Sequence, residues 1–170
     1  TLGAGGHAVG ILSAGAPDSL LLGLDLDPQA LQIARSTLAP FGKRALIRQA
    51  SHATLHEQLV SLGWGSVDGI LLDLGASSMQ FDTPGRGFSF LQEGPLDMRF
   101  DPSSKLQADE IVNTWSEQEL AEIILHYGED RAARRIAQAI CAARPLHSTF
   151  TLAAVIEKVQ PRRGAHHPAT

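Results

Sequence analysis

Cysteine is nearly missing from this chain of 170 residues. Cys141 stands alone, so no internal disulfide can form, and its neighbours Ile140 and Ala142 mark a packed thiol on a helix and not a nucleophile. Long apolar runs are lacking too: none approaches the roughly 20 residues of a membrane span. The first residues show no charged, apolar and small-residue series of the signal-peptide kind. His166 and His167 have no spaced acid or thiol cluster around them, and two adjacent histidines make a poor coordination set, so no metal is expected. Positive charge is not in excess either. With 14 Lys and Arg against 18 Asp and Glu, the net charge of −4 excludes a protein that coats nucleic acid by charge alone. What is left is a soluble globular chain, 44% apolar, long enough for one domain or for one domain with an insertion.

Glycine, by contrast, is concentrated at one place. Thr1-Leu2-Gly3-Ala4-Gly5-Gly6-His7-Ala8-Val9-Gly10 is a glycine-rich turn running into an apolar helical stretch that ends near Ala14. Gly3, Gly5 and Gly6 permit φ > 0 and carry no Cβ, so main-chain N–H groups can approach a nucleotide, and the helix behind them offers its positive end. The apolar run Leu20–Leu24 then ends in Asp25, nineteen positions after Gly6. A carboxylate at a strand end about twenty residues past such glycines is placed to accept from the two hydroxyls of a ribose. A nucleoside-containing cofactor is the reading this pair supports; the alternative is a strand-to-helix turn in which Asp25 simply caps the next segment.

Further along, Asp27-Pro28 starts a helix that Pro40 ends, Ala45–Gln49 is a short strand, and Thr54 to Leu62 is a helix stopped at Gly63. Val67–Leu74 is an apolar run bounded by turn residues, as expected of a strand buried on both faces. Alternating strands and helices imply a parallel sheet, at whose carboxyl rim Gly5, Asp25, the Ser51-His52 region and Asp73 should lie. From Gly75 to Lys105 the composition shifts to Gly, Pro, Ser and Asp with scattered aromatics, too long a stretch to be a plain connection. Helices come next, without strands: Ala108–Asn113, one opened by the capping box Ser116-x-x-Glu119, Arg131–Arg144 stopped by Pro145, and Thr151–Val159. They predict a small helical lobe. Between Arg131 and Arg163 there are seven basic residues (Arg131, Arg134, Arg135, Arg144, Lys158, Arg162, Arg163) against the single acid Glu157, a composition that suits RNA or a solvated helix face.

Leu2-Gly3-Ala4-Gly5-Gly6-His7, Asp73-Leu74-Gly75-Ala76-Ser77-Ser78-Met79-Gln80-Phe81-Asp82, Arg86-Gly87-Phe88-Ser89-Phe90, Gly94-Pro95-Leu96-Asp97-Met98-Arg99, Tyr127-Gly128-Glu129 and His167-Pro168-Ala169-Thr170, taken in order, closely resemble the RsmH (MraW) family. The resemblance runs the length of the chain, and loop blocks such as those at Arg86 and Gly94 are not demanded by any generic sheet.

The resemblance implies an α/β, Rossmann-like S-adenosylmethionine-dependent methyltransferase with a partial parallel sheet and an inserted small all-helical domain. The implied reaction methylates the exocyclic N4 of a cytidine in the decoding region of small-subunit (16S-type) rRNA, without a metal. Residues 1–100 correspond to the cofactor-binding core with an active-site loop at 75–105, residues 106–163 to the RNA-recognition domain, and 164–170 to the start of a return to the core. Gly5, Gly6 and His7 match the cofactor turn, Asp25 the ribose acid, His52 a position beside the adenine where the family commonly has an aromatic, and Asp73 and Gln80 the remaining cofactor positions. Imidazole stacks on adenine with less area than phenylalanine, so His52 is a departure. Asp73, Ser77, Ser78 and Asp97 are the candidates for holding the amine, with a loop ion pair to Arg99 as the alternative for Asp97. Arg131, Arg134, Arg135, Arg162 and Arg163 are the candidate RNA contacts. The expected setting is the bacterial cytoplasm, or the mitochondrial matrix as an alternative, on a small ribosomal subunit or its assembly intermediate, with no membrane partner and with a homodimer left open. The family pattern also leads one to expect a strand ahead of Thr1 and more strands after Thr170, so that this segment alone is inactive. Two rival readings are a nicotinamide-dependent dehydrogenase, which shares Gly3-x-Gly5-x-x-Ala8 and Asp25 but predicts a second mononucleotide half, and a non-catalytic RNA-binding fragment.

Overall fold

The computed structural model describes residues 1–160 and 168–169, which fall into two compact units: Thr1–Gly75 with Phe100–Pro102, and Ala76–Arg99 with Ser103–Thr170. In the first, helix α1 (Gly6–Ala14) succeeds the glycine turn, strand β1 (Leu21–Asp25) leads into α2 (Pro28–Leu38), a short 3-10 segment gives way to β2 (Ala45–Gln49), and α3 (Leu55–Ser61) closes the series. Asp27 accepts from the N–H of Gln29 as the N-cap of α2, with Pro28 at the first helical position. That helix is the crossover that lets β1 and β2 pair in parallel, in register from Leu21 opposite Ala45 to Asp25 opposite Gln49. The core of this unit is Leu2, Ala8, Leu12, Leu31, Ala34 and Leu38, packed from the turn, α1 and α2. Gly23 has no room for a Cβ, since one built there would meet Leu2 Cδ1 at 2.6 Å.

Val67–Leu74 departs from expectation. The run forms no strand, and Ile70, Leu71, Leu72 and Leu74 are all exposed. An apolar run becomes a buried parallel strand only when neighbours on both edges take its N–H and C=O groups and both faces are covered. Among the described residues the two-stranded sheet supplies it no ladder, and a groove of about 970 Å³, bordered by Leu22, Trp64, Ile70 and Leu72 among others, runs beside it.

The second unit holds the short helix α4 (Ser78–Phe81) and then α5 (Ala108–Thr114), α6 (Glu117–Gly128), α7 (Ala133–Ala143) and α8 (Thr149–Val159). Its core is Leu96, Val112, Leu120, Ile136, Ala137, Ile140 and Leu146. Capping boxes at Ser77, Ser116 and Ser148 open α4, α6 and α8. Much of the long loop groups with the helices, and its backbone bonds run to them: Ala108 N–H donates to Asp97 O, Asp109 N–H to Leu96 O and Thr149 N–H to Gly94 O. Gly87, at φ 71°, and Gly94 are places where another backbone comes too close for a side chain: a Cβ on Gly87 would meet Asp97 N at 2.8 Å, and one on Gly94 would meet Pro84 C at 3.0 Å.

Candidate functional site

In the first unit the sequence-predicted residues gather where β1 and β2 end. Leu2 N–H donates to Leu24 O at 2.8 Å, so the glycine turn continues from the edge of β1. Gly3 and Gly5 both sit in the left-handed region, at φ 55° and 92°, which is where a residue without a Cβ is wanted. Asp25 at the end of β1 holds that turn: its Oδ2 accepts from Gly3 N–H at 2.8 Å and its Oδ1 from Asp27 N–H at 3.0 Å. Two carboxylate oxygens offer about four lone-pair directions, so these bonds fix the carboxylate while leaving each oxygen able to accept once more. Its backbone carbonyl takes Ala50 N–H at 3.0 Å, tying the end of β2 to the same point.

Next to this, Ser51 caps the single turn His52–Thr54, and the His52 side chain is exposed. His7, in the first turn of α1, brings its Nδ1 to 3.5 Å from Asp73 Oδ2, both side chains being two-thirds exposed at 66%. The Thr1 hydroxyl donates to the carbonyl of Asp73. Asp73 is therefore drawn to the glycine turn even though the run carrying it is not a strand. Gly5 is buried, its α-carbon facing Leu38, and Gly6 is exposed at the start of α1.

The other candidates lie in the second unit. Ser77 and Gln80 are joined in the α4 capping box: Ser77 N–H donates to Gln80 Oε1 at 2.9 Å and Gln80 N–H to Ser77 Oγ at 3.3 Å, with Gln80 buried. Ser78 is exposed as the first residue of α4. Asp97 forms an ion pair with Arg99 in the loop. Its Oδ1 accepts from Arg99 N–H and Nε, each at 2.9 Å, and its Oδ2 from Arg99 Nη2 at 2.7 Å. The Arg99 side-chain hydrogen bond is the main reason that the Asp97 carboxyl is held below the usual carboxylate value, against the upward push of burial. Arg86, nearly buried, donates from Nη2 to Arg99 O at 2.8 Å.

Arg131, Arg134 and Arg135 are exposed, whereas Arg162 and Arg163, with His166 and His167, lie outside the described residues. Arg144 belongs to the basic block by sequence but is engaged locally: its Nε donates to Val112 O at 2.7 Å and its Nη2 to Trp115 O, closing the end of α5. Among the described residues no group of three or more His, Cys, Asp or Glu is placed to hold a metal, and no helix is long and apolar enough to cross a membrane.

A model of the MraW methylase family matches residues 1–170. The chain belongs to the MraW methylase family. It is 50% identical over 177 residues to a protein of Geotalea uraniireducens named ribosomal RNA small subunit methyltransferase H, covering 100% of this chain and 56% of that protein. Proteins of the same name from Oleidesulfovibrio alaskensis and Cyanothece sp. are 48% and 49% identical, again over 100% of this chain and over 55% and 56% of theirs. The chain thus spans a little more than half the length of these MraW relatives. Within that span, sequence reasoning does not foresee that Gly3 is bonded to Asp25, or that His7 faces Asp73. The first could be suspected from the strand-end acid itself, because a carboxylate beside a glycine turn meets N–H donors there; the second has no signal in spacing.

Proposed function

We propose that the whole protein transfers a methyl group from S-adenosylmethionine to the exocyclic N4 of a cytidine in the decoding region of small-subunit rRNA, in the bacterial cytoplasm. The observation that carries this reading is the fixed Asp25 carboxylate beside an open glycine turn. The residues present suit a nucleoside cofactor. Asp25 keeps acceptor capacity for two ribose hydroxyls, and Gly3 and Gly6, which face open space, put no side chain between the turn and a ligand. The exposed imidazole of His52 is available to an adenine face. When bound, S-adenosylmethionine supplies an electrophilic methyl on a sulfonium.

A cytosine amine is a poor nucleophile because its lone pair is delocalised into the ring, so orientation is the chief contribution asked of the protein. Asp73 is the strongest candidate to accept from that amine, being exposed and beside the turn. Ser78 keeps an exposed hydroxyl for the same task, while Ser77 acts first as the cap of α4 and Asp97 first as the partner of Arg99. The helices within 106–163 form the RNA-recognition insertion in this proposal. The names of the relatives support the substrate class. The test is to incubate the whole protein with unmodified small subunits and to analyse digested rRNA by mass spectrometry. N4-methylcytidine is the expected product, and methylation at a ring carbon would overturn the amine reading.

A further inference from the structure

Leu120 and Ile124 belong to the face of α6 that packs into the helical core, and Tyr127, one step further along the same stripe, is 83% exposed. An aromatic ring left this open, beyond the end of the packed stripe, forgoes the burial that Leu120 and Ile124 obtain. The edge of this exposure is defined: the ring meets His126 in a T-shaped contact, centroids 5.7 Å apart at 88°.

Immediately after it the chain turns tightly into α7. Glu129 takes the left-handed region at φ 52°, Asp130 N–H reaches back to Ile124 O, and the Asp130 carboxylate accepts from Ala132 N–H at 2.7 Å. Arg131 follows in this turn, and Arg134 and Arg135 lie in the first turn of α7. On the helix itself Ala133, Ile136, Ala137 and Ile140 are buried, while Arg134 and Arg135 are exposed. None of the three holds a side-chain hydrogen bond or ion pair among the described residues. The exposed acid set against them in this turn is Glu129, since the Asp130 carboxylate is engaged.

An open aromatic ring followed, across one tight turn, by exposed guanidinium groups is a composition that suits unpaired RNA, in which a splayed base stacks on the ring and its flanking phosphates meet the cations. From this juxtaposition we infer that Tyr127 is a stacking platform for one unpaired base of the RNA substrate, with Arg131, Arg134 and Arg135 holding the neighbouring phosphates. The inference rests on the rRNA reading above and adds to it the residue that distinguishes single-stranded from paired RNA.

The experiment measures binding of the whole protein to a single-stranded oligouridine, and to a fully paired duplex of equal length, by fluorescence anisotropy across a salt series. The parent should prefer the single strand. Tyr127→Ala should weaken single-strand binding about tenfold or more without changing the salt slope, and Tyr127→Phe should retain it, because stacking needs the ring and not the hydroxyl. Since Tyr127 lies outside the core, neither substitution should unfold the helices. Unchanged affinity in Tyr127→Ala, with the parent still binding RNA, would overturn the tyrosine assignment alone. A parent that binds neither RNA would overturn the rRNA reading with it. If Tyr127→Ala left RNA affinity intact and shifted the protein to a smaller assembly, the face would belong to a second copy and the inference would fail.

Discussion

Gly3 donates its N–H to Asp25 Oδ2 at 2.8 Å, across 22 positions of sequence, so the acid expected to hold a ribose is also what holds the glycine turn against the end of β1. Binding and local order are coupled at one side chain. Asp25→Ala should weaken S-adenosylmethionine binding in the whole protein by about 1.5 to 3 kcal/mol, roughly ten- to a hundredfold, because a charged acceptor is lost. It should also accelerate amide exchange at Gly3 and Asp27, the two donors left without a partner. Calorimetry and exchange together check this; a variant that binds as tightly as the parent would remove Asp25 from the cofactor site.

Leu2 lies directly on Gly23, and this contact fixes the turn from its apolar side. A methyl added at Gly23 would sit 2.6 Å from Leu2 Cδ1, inside any real carbon contact, so Gly23→Ala should destabilise the first unit by about 1 to 3 kcal/mol. The predicted signature is partial rescue: Leu2→Ala alone should destabilise by leaving a cavity, yet in the double variant the two changes should be less than additive. Urea unfolding of the four proteins measures the coupling, and strict additivity would show that the contact does not matter.

Asp97 gives a pH dependence with a definite sign. Its carboxyl is held below the ordinary value chiefly by the Arg99 side-chain hydrogen bond, so the folded state binds its proton less readily than the unfolded chain does. The stability from this pair is complete above the unfolded carboxylate value of about 3.9 and is lost as pH falls through the lower folded value. Asp97→Asn should therefore be less stable than the parent at neutral pH, and the gap should close in acid. A gap that is constant from pH 7 to pH 3 would show that the ion pair contributes nothing through its charge.

Much of this is legible in the sequence, for reasons that differ by element. Asp27-Pro28 and the Ser116 capping box announce α2 and α6 because caps are local chemistry, written within four residues. The parallel pairing of β1 with β2 is implied by the helix between them. Val67–Leu74 reads as a strand and is not one, because burial of a strand depends on partners that its own residues do not encode. Ser77, Gln80 and Asp97 are candidate site residues by type, and the structure adds that their side chains also close a capping box and an ion pair; sequence gives residue type but not which atom has already found a partner. The same limit makes Arg144 indistinguishable by sequence from the arginines of the α7 surface.

That distinction is itself testable. Arg144 donates to the carbonyls of Val112 and Trp115 at the end of α5, whereas Arg131, Arg134 and Arg135 are exposed and unpaired among the described residues. Charges that meet phosphates release counterions, and each such contact on a single strand contributes about 0.7 to the slope of log affinity against log salt. Replacing the three exposed arginines with alanine should flatten that slope by roughly 2 for the whole protein on single-stranded RNA, while leaving thermal stability within a few tenths of a kcal/mol. Arg144→Ala should do the reverse. It leaves two helix-end carbonyls without their charged donor, which costs about 1 to 3 kcal/mol, and it should leave the salt slope alone. If Arg144→Ala flattened the slope as the triple variant does, the basic block would be binding RNA as an undifferentiated patch, and the separation of structural from contacting arginines drawn from these hydrogen bonds would be wrong.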